Sequence, residues 1–428
     1  MTQQRLAIID AVRTPMGKAG GVLAHICADD LGAMALREMM IRVPVSVQAV
    51  DEVIMGNVAM PPGCANIARV CALKAGFLDK TPAYTVHRNC ASGMEAISSA
   101  YVTLLAKKAA IIAVGGTESM SNIPLLFGKK MTQVFAQLQK AKTLWQKMQV
   151  LAGFRLQFLA PVLGVMEGLT DPISGLIMGL TAENLAKDFE IGRLEQDQFA
   201  LESHQKASRA IHEGVLAQEI FPVYTPTGMH CHDEGPRGTQ SLEALQKLKP
   251  YFDRLNGTVT VGNACPLTDG AGAMLVMLES KAKELGIKPL AYVRDFAYAG
   301  LDPSRMGLGP VFATHKLLSQ TGLHIQDMDL VEINEAFSVQ VLACLRAFGS
   351  DHFAQTYLNR AKAIGEIDPD TLNVNGGAVA LGHPVGMTGI RLVMTVAKAL
   401  KRMGKHRGLA TLCIGGGQGA AFVVEVDA

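Results

Sequence analysis

Cys90, His383 and Cys413 are the residues of this chain whose types and settings could do chemistry. Cys90 ends the extended run Tyr84-Thr-Val-His-Arg-Asn-Cys90 and is followed by small residues, then a helical pattern through Ala96, Ile97 and Ala100. A cysteine at such a strand-to-helix turn can turn its sulfur into a crevice. Backbone N–H groups and the positive end of a helix there favour thiolate over thiol. Taken alone, such a cysteine is more often a small buried hydrophobe. His383 lies in Gly376-Gly-Ala-Val-Ala-Leu-Gly-His383-Pro-Val-Gly386, a stretch too apolar to carry a histidine for solubility. Its glycines admit backbone close to a ligand, and Pro384 fixes the histidine where a helix begins. Cys413 ends an apolar strand against Gly415, Gly416 and Gly417. A thiol-based acyl transfer needs a nucleophile, a base, a proton shuttle and N–H donors facing a thioester oxygen. All four are represented, although spacing alone does not show that the three residues meet.

The elements that must position them read as α/β. Residues 5–11 predict a first strand, 30–40 a helix, 50–56 a strand and 65–75 a helix. They are followed by a strand at 83–87, a helix at 92–106 and a strongly apolar strand at 109–114. The order returns late in the chain. Residues 329–333 echo 50–54, and 372–374 lead into the His383 loop and a helix over 389–400. Residues 409–419 echo 109–116. This weak internal repeat predicts two similar halves packed together, their loops converging on one crevice.

The chain has 428 residues, a formal charge of +2 and 49% hydrophobic residues, so it can bury a large core in two or more domains. Near-neutral charge argues against a dedicated nucleic-acid binder. Eight well-separated cysteines suggest no disulfide framework, and no apolar run of signal-peptide length follows Met1-Thr-Gln-Gln-Arg5. These features set the expectation of a reducing, cytoplasmic setting. His230-Cys231-His232 has metal-binding types but poor spacing for one tetrahedral site, so no metal is expected. From Ser119 to Met166 there is no Asp or Glu, while five lysines and Arg155 are present. Val134, Leu138, Trp145, Met148 and Leu151 are spaced to share one helical face. That face is either packed on the body or forms a basic amphipathic patch for an anionic ligand, a partner subunit or a membrane surface. Further on, Thr181 is expected to cap a helix starting at Ala182.

Asn89-Cys90-Ala-Ser-Gly, Asn334-Glu-Ala-Phe337, the His383 motif and Cys413-Ile-Gly-Gly-Gly-Gln-Gly together resemble the thiolase family, as does Gly257-Thr-Val-Thr-Val-Gly-Asn263. The resemblance runs from about Arg5 to Glu425. It implies two duplicated αβαβα halves forming a five-layered core with an inserted loop domain. The implied division is an N-terminal half over 1–120, a mostly helical insert over 121–250, a return to the first half over 251–276 and a C-terminal half over 277–428. It further implies a ping-pong transfer with Cys90 as nucleophile, His383 as its base and Cys413 as the second acid–base. Asn334 would hold a water beside His383 in one oxyanion site, and the N–H groups of Cys90 and Gly415 would form the other. Coenzyme A is implied as substrate, with no permanently bound cofactor, and Met178, Cys265, Glu335 and Phe337 are expected to contact it, Glu335 reading equally as a structural residue in a buried hydrogen bond. The substrates implied are 3-oxoacyl-CoA, CoA and acetyl-CoA. A homodimer or homotetramer is expected, with scope for a hydratase/dehydrogenase alpha subunit and peripheral membrane contact through 121–166.

The insert and Leu169–Leu185 look most like the thiolase subunit of the fatty-acid oxidation trifunctional complex. In that subfamily a histidine commonly stands at the position of Asn334, whereas asparagine is closer to the acetoacetyl-CoA enzymes. Those enzymes usually have a histidine where this chain has Ile177, and Cys265 stands where a serine is usual. The balance leans to degradation of medium or long acyl chains, with acetoacetyl-CoA chemistry as the alternative.

Overall fold

The computed structural model describes residues 4–427. The strands that frame the molecule are β1 (Leu6–Arg13), β2 (Glu52–Gly56), β3 (Ala83–Val86), β4 (Ile111–Glu118), β5 (Thr268–Leu278), β6 (Ala291–Gly300), β7 (Leu330–Ile333), β8 (Arg407–Ile414) and β9 (Gln418–Glu425). They run in the order β7-β8-β9-β6-β1-β5-β4-β2-β3. Within the first half, β2 pairs parallel with β3 and β4, and β5 pairs antiparallel with β4 and β1. The second half repeats this: β7 pairs parallel with β8 and bridges Leu372, while β9 pairs antiparallel with β8 and β6. The halves meet edge to edge where Leu6–Ile8 pair with Ala291–Val293. The duplication expected from the order of elements is therefore present as matching strand pairings.

Principal helices of the two halves are α1 (Ala28–Arg42), α2 (Ile67–Ala75), α3 (Ser92–Leu105), α4 (Gly309–Thr321), α5 (Ser338–Phe348) and α6 (Thr388–Met403). Three apolar cores separate five layers. One lies between α1/α2 and the first sheet, one between α4/α5 and the second. The third surrounds α3 and α6, which pack on each other between the sheets. Strands buried on both faces need apolar residues throughout, which is why Ile111–Val114 and Met274–Met277 read as continuous runs.

The contact between α3 and α6 is set by two glycines. A Cβ on Gly389 would lie 2.2 Å from the backbone nitrogen of Met94, and one on Gly93 would lie 2.8 Å from that of Ile390. No residue but glycine lets two helical first turns approach so closely. Those turns are the ones that follow Cys90 and His383.

Several local expectations change. The helix after residue 177 begins at Met178 with Ile177 as its N-cap, and the Thr181 hydroxyl donates to the Met178 carbonyl instead of capping. The basic insert is not one helical face. Two helices, Lys129–Lys140 and Leu144–Ala152, are separated at Thr143, whose side chain and Gln146 form a capping box that starts a new helix. Met131 and Val134 are buried, while Trp145, Met148 and Leu151 are exposed. His230 lies in a small hairpin, Val223–Thr225 with Gly228–His230, and its ring bonds Thr225 and Thr227. All eight cysteines are unpaired.

Candidate active site

Cys90 sits in a strained turn that presents its sulfur. Asn89 adopts a left-handed backbone (φ +44°), sparsely populated for residues other than glycine. The turn is held at both ends by Ser92, whose hydroxyl donates to the Asn89 carbonyl (2.7 Å) and accepts from the Arg88 N–H (2.9 Å). Asn89 also donates its side-chain amide to the Gly415 carbonyl (2.8 Å), and Arg88 reaches Gln418 (3.2 Å). The Cys90 turn is thus fastened to the glycine turn after Cys413. Gly416 and Gly417 in that turn have φ of +87° and +77°, a pair of left-handed residues that reverses β8 into β9.

The fastening brings the Gly415 N–H, together with the N–H of Cys90 itself, close enough to the Cys90 sulfur to favour its thiolate. These donors lower the thiol pKa, but burial outweighs them and the net shift is upward. The expectation that the turn would hold Cys90 as thiolate is corrected: desolvation overrules the local donors. Burial and the nearby Cys90 raise Cys413 further still, and raise Cys265 to about 12. Cys90, Cys265 and Cys413 are therefore neutral thiols near enough to raise one another.

His383 is buried, and its backbone N–H donates to the Thr268 hydroxyl (3.2 Å). Its ring Nδ1 lies 2.6 Å from the Thr388 Oγ1, which in turn lies 2.9 Å from the Pro384 carbonyl. A carbonyl can only accept, so the hydroxyl hydrogen goes to Pro384 and the hydroxyl oxygen accepts from His383. Nδ1 then carries the proton and Nε2 has a free lone pair. Nε2 is buried without a protein partner. Burial first, and the Arg391 cation second, push the imidazole pKa down to about 3, so the ring is a neutral base. Glu118 fixes the loop, accepting from the N–H groups of Gly386 (2.9 Å), Ala59 (2.9 Å) and Val58 (3.1 Å). Burial lifts that carboxyl to about 7 despite these donors.

Asn334 extends β7, its N–H donating to the Thr411 carbonyl (3.0 Å), two residues before Cys413. Its side-chain Oδ1 accepts from Arg391 (3.4 Å), and its Nδ2 is buried without a protein partner. Two buried, unpartnered donor or acceptor atoms on Asn334 and His383 are costly unless a ligand or water meets them.

Of the residues expected to meet coenzyme A, Met178 lies beside the glycine turn: a Cβ on Gly415 would be 3.3 Å from its sulfur. Cys265 donates its N–H to the Ala336 carbonyl (3.0 Å), next to Asn334 and Glu335. Glu335 and Phe337 need correction. The Glu335 carboxylate is buried and accepts from Ser203 (2.6 Å), Asn373 (2.8 Å) and the Val379 N–H (3.1 Å), an interior network of protein groups. It ties the Asn334 loop to the glycines before His383. Phe337 is interior, its ring packed edge-on against Phe252 at 6.0 Å. Thr388, Glu118 and Arg391 were not singled out from sequence. Glu118 could have been found as an acid ending an apolar strand, and Arg391 as a charge on the apolar face of its helix.

Among the described residues, the one group of potential metal ligands is Cys27, Asp29 and Asp30, and Lys74 bonds both carboxylates (2.5 and 2.7 Å). His230, Cys231 and His232 do not form such a group.

The comparisons with known proteins agree with this geometry. The N-terminal thiolase domain matches residues 6–280 and the C-terminal thiolase domain residues 287–426. The chain is 40% identical to the 3-ketoacyl-CoA thiolase of Serratia proteamaculans, covering 99% of this chain and 97% of that protein. It is 41% identical to the mitochondrial trifunctional enzyme subunit beta of Bos taurus, covering 99% and 88%. Human mitochondrial 3-ketoacyl-CoA thiolase in complex with CoA superposes with a TM-score of 0.86 at 36% identity, covering 99% and 98%. The Bacillus anthracis acetyl-CoA acetyltransferase gives 0.86 at 38%, with the same coverage. Motifs, duplicated fold, site geometry and relatives converge: the chain belongs to the thiolase family and is a CoA-dependent acyltransferase.

Proposed function

We propose that this thiolase cleaves medium- to long-chain 3-oxoacyl-CoA with free CoA, yielding acetyl-CoA and a shortened acyl-CoA. The observation that carries the reading is the Cys90 turn fastened to the glycine turn after Cys413 by the bond from the Asn89 amide to the Gly415 carbonyl (2.8 Å). It sits across the interhelical contact from a neutral His383 with a free Nε2. In the proposed sequence His383 Nε2 takes the Cys90 proton as the sulfur attacks the keto carbon. The bond between C2 and C3 breaks, leaving the shortened acyl group on Cys90. The departing enolate takes the proton of Cys413 and leaves as acetyl-CoA. Free CoA then gives its thiol proton to the Cys413 thiolate and attacks the acyl-cysteine. Cys90 leaves as thiolate and recovers its proton from the His383 imidazolium.

Both half-reactions develop an oxyanion. The two N–H groups on one side, and His383 with an Asn334-held water on the other, are the proposed donors, each typically worth about 3–4 kcal/mol. Ile177, an aliphatic residue beside Met178, supports an apolar acyl chain. Asn334 favours the second reading, acetoacetyl-CoA as substrate. Turnover measured from acetoacetyl-CoA to a long 3-oxoacyl-CoA separates them. Rising kcat/KM with chain length supports the first, and a maximum at acetoacetyl-CoA the second.

A role in fatty-acid degradation in a reducing cytoplasm belongs to the same proposal, since Cys90 and Cys413 work only as free thiols. The insert supports a docking role. It is acid-free over 119–166, and Leu125, Leu144, Trp145 and Leu156 are exposed. Similarity to beta subunits of a trifunctional enzyme favours a partner subunit there, beyond a homo-oligomeric thiolase core. Flotation with anionic vesicles tests the alternative, a lipid surface.

A further inference from the structure

We propose that Arg391, charge-balanced by Glu332, is the positioning residue that fixes the side-chain amide of Asn334 with its NH2 group toward the reacting thioester. The inference rests on Asn334 holding the water that serves as an oxyanion donor. An amide can present either its oxygen or its nitrogen to that water; its NH2 group leaves both water hydrogens for the oxyanion, whereas its oxygen would take one of them. Arg391 resolves that choice. Its guanidinium has only donors and stays charged, so the atom it meets on Asn334 at 3.4 Å is the oxygen. The nitrogen is thereby turned away from Arg391, and it is buried without a protein partner.

Three further observations separate this arrangement from ordinary packing. Arg391 and Glu332 are both buried, an expensive placement for a pair that a matched apolar pair could replace at no loss of stability. Glu332 bonds the opposite arm of the guanidinium, so the fork is oriented as well as neutralised. Finally, Arg391 lies three residues after Thr388 in the first turn of α6, on the same helical face. One residue of that face fixes the His383 ring and the other fixes the Asn334 amide. A single rigid turn thus aligns the base and the proposed water-holding donor, and the close contact of Gly389 with Met94 anchors that turn beside Cys90.

The test is a mutant cycle on the full-length protein, read as thiolysis kcat and KM. Glu332→Leu with Arg391→Met removes the pair without leaving a buried charge. Arg391→Lys keeps a charge beside Glu332 but loses the two-armed fork. Both are expected to lower kcat about 10- to 100-fold, somewhat less than loss of an oxyanion donor itself, with KM within about twofold. Asn334→Ala combined with Glu332→Leu and Arg391→Met is expected to be no slower than Asn334→Ala alone, because burial, the larger influence on His383, still holds that ring neutral and the pair otherwise acts through the amide. Losses that multiply in the combined variant would overturn the inference alone. So would full turnover in Arg391→Lys or in the Glu332→Leu/Arg391→Met variant. Full turnover in Asn334→Ala would remove the premise, and the inference with it.

Discussion

Replacing Thr388 by valine tests whether the His383 tautomer is set by its neighbour. The substitution keeps the shape and removes the oxygen that accepts from Nδ1 at 2.6 Å and donates to Pro384 at 2.9 Å. In the native protein those two bonds leave Nε2 as the base. Without them a buried Nδ1–H has no acceptor, which costs about 1–3 kcal/mol. The ring can escape that cost by moving its proton to Nε2, the atom that must accept from Cys90. If escape through the wrong tautomer recovers about 1.4–2.8 kcal/mol, the competent fraction falls about 10- to 100-fold, and kcat with it. Thiolysis under saturating substrate reads this directly, and carboxamidomethylation of Cys90 at neutral pH should slow in parallel. Thr388→Ser retains the hydroxyl and should restore most of the rate. Wild-type kcat and labelling in Thr388→Val would refute the tautomer argument.

The resting Cys90–His383 pair is neutral, since burial raises the thiol and drives the imidazole down to about 3. Labelling of Cys90 by iodoacetamide should therefore climb with pH across neutrality, and a flat profile from about pH 5 to 8 would indicate a preformed ion pair. His383 also shapes acid stability. Between its unfolded value of 6.5 and about 3, the folded chain takes up fewer protons than the unfolded chain. Stability is thus fully retained above 6.5 and falls by about 1.4 kcal/mol per pH unit below it. Denaturant titrations should show His383→Asn with a shallower acid slope than wild type, and identical slopes would contradict the assignment. Gly389→Ala places a methyl 2.2 Å from the Met94 nitrogen, so α3 and α6 must separate. A loss of about 1–3 kcal/mol by chemical denaturation is expected, with lower kcat, and an unaffected variant would refute the close-contact argument.

Much of this fold could be read from sequence because buried strands advertise themselves. Ile111–Val114 and Leu409–Ile414 are buried on both faces and almost wholly apolar, and glycine turns punctuate them, so the repeated order showed through weak identity. The insert was misread because a shared apolar spacing crosses Thr143, and only the local capping by Gln146 ends the first face there. Cys90, His383 and Cys413 stood out through motif chemistry. Their supports did not, because Thr388 and Arg391 act through contacts that a helical period disguises as ordinary sequence. Glu335, beside Asn334, reads from sequence either as a site residue or as a buried structural one, and its carboxylate faces Ser203 and Asn373 in the interior. The ionisation state of Cys90 was equally illegible, since it depends on how much water the folded crevice excludes.

The central claim is that Cys90 carries the acyl group between the two half-reactions. Mixing the protein with a 3-oxoacyl-CoA in the absence of free CoA, then quenching in acid, should leave a peptide containing Cys90 heavier by the acyl group two carbons shorter than the substrate. The same treatment of Cys90→Ser should yield neither that adduct nor acetyl-CoA. An acyl group found on Cys265 or Cys413 instead, or acetyl-CoA release with Cys90 unmodified, would contradict the account.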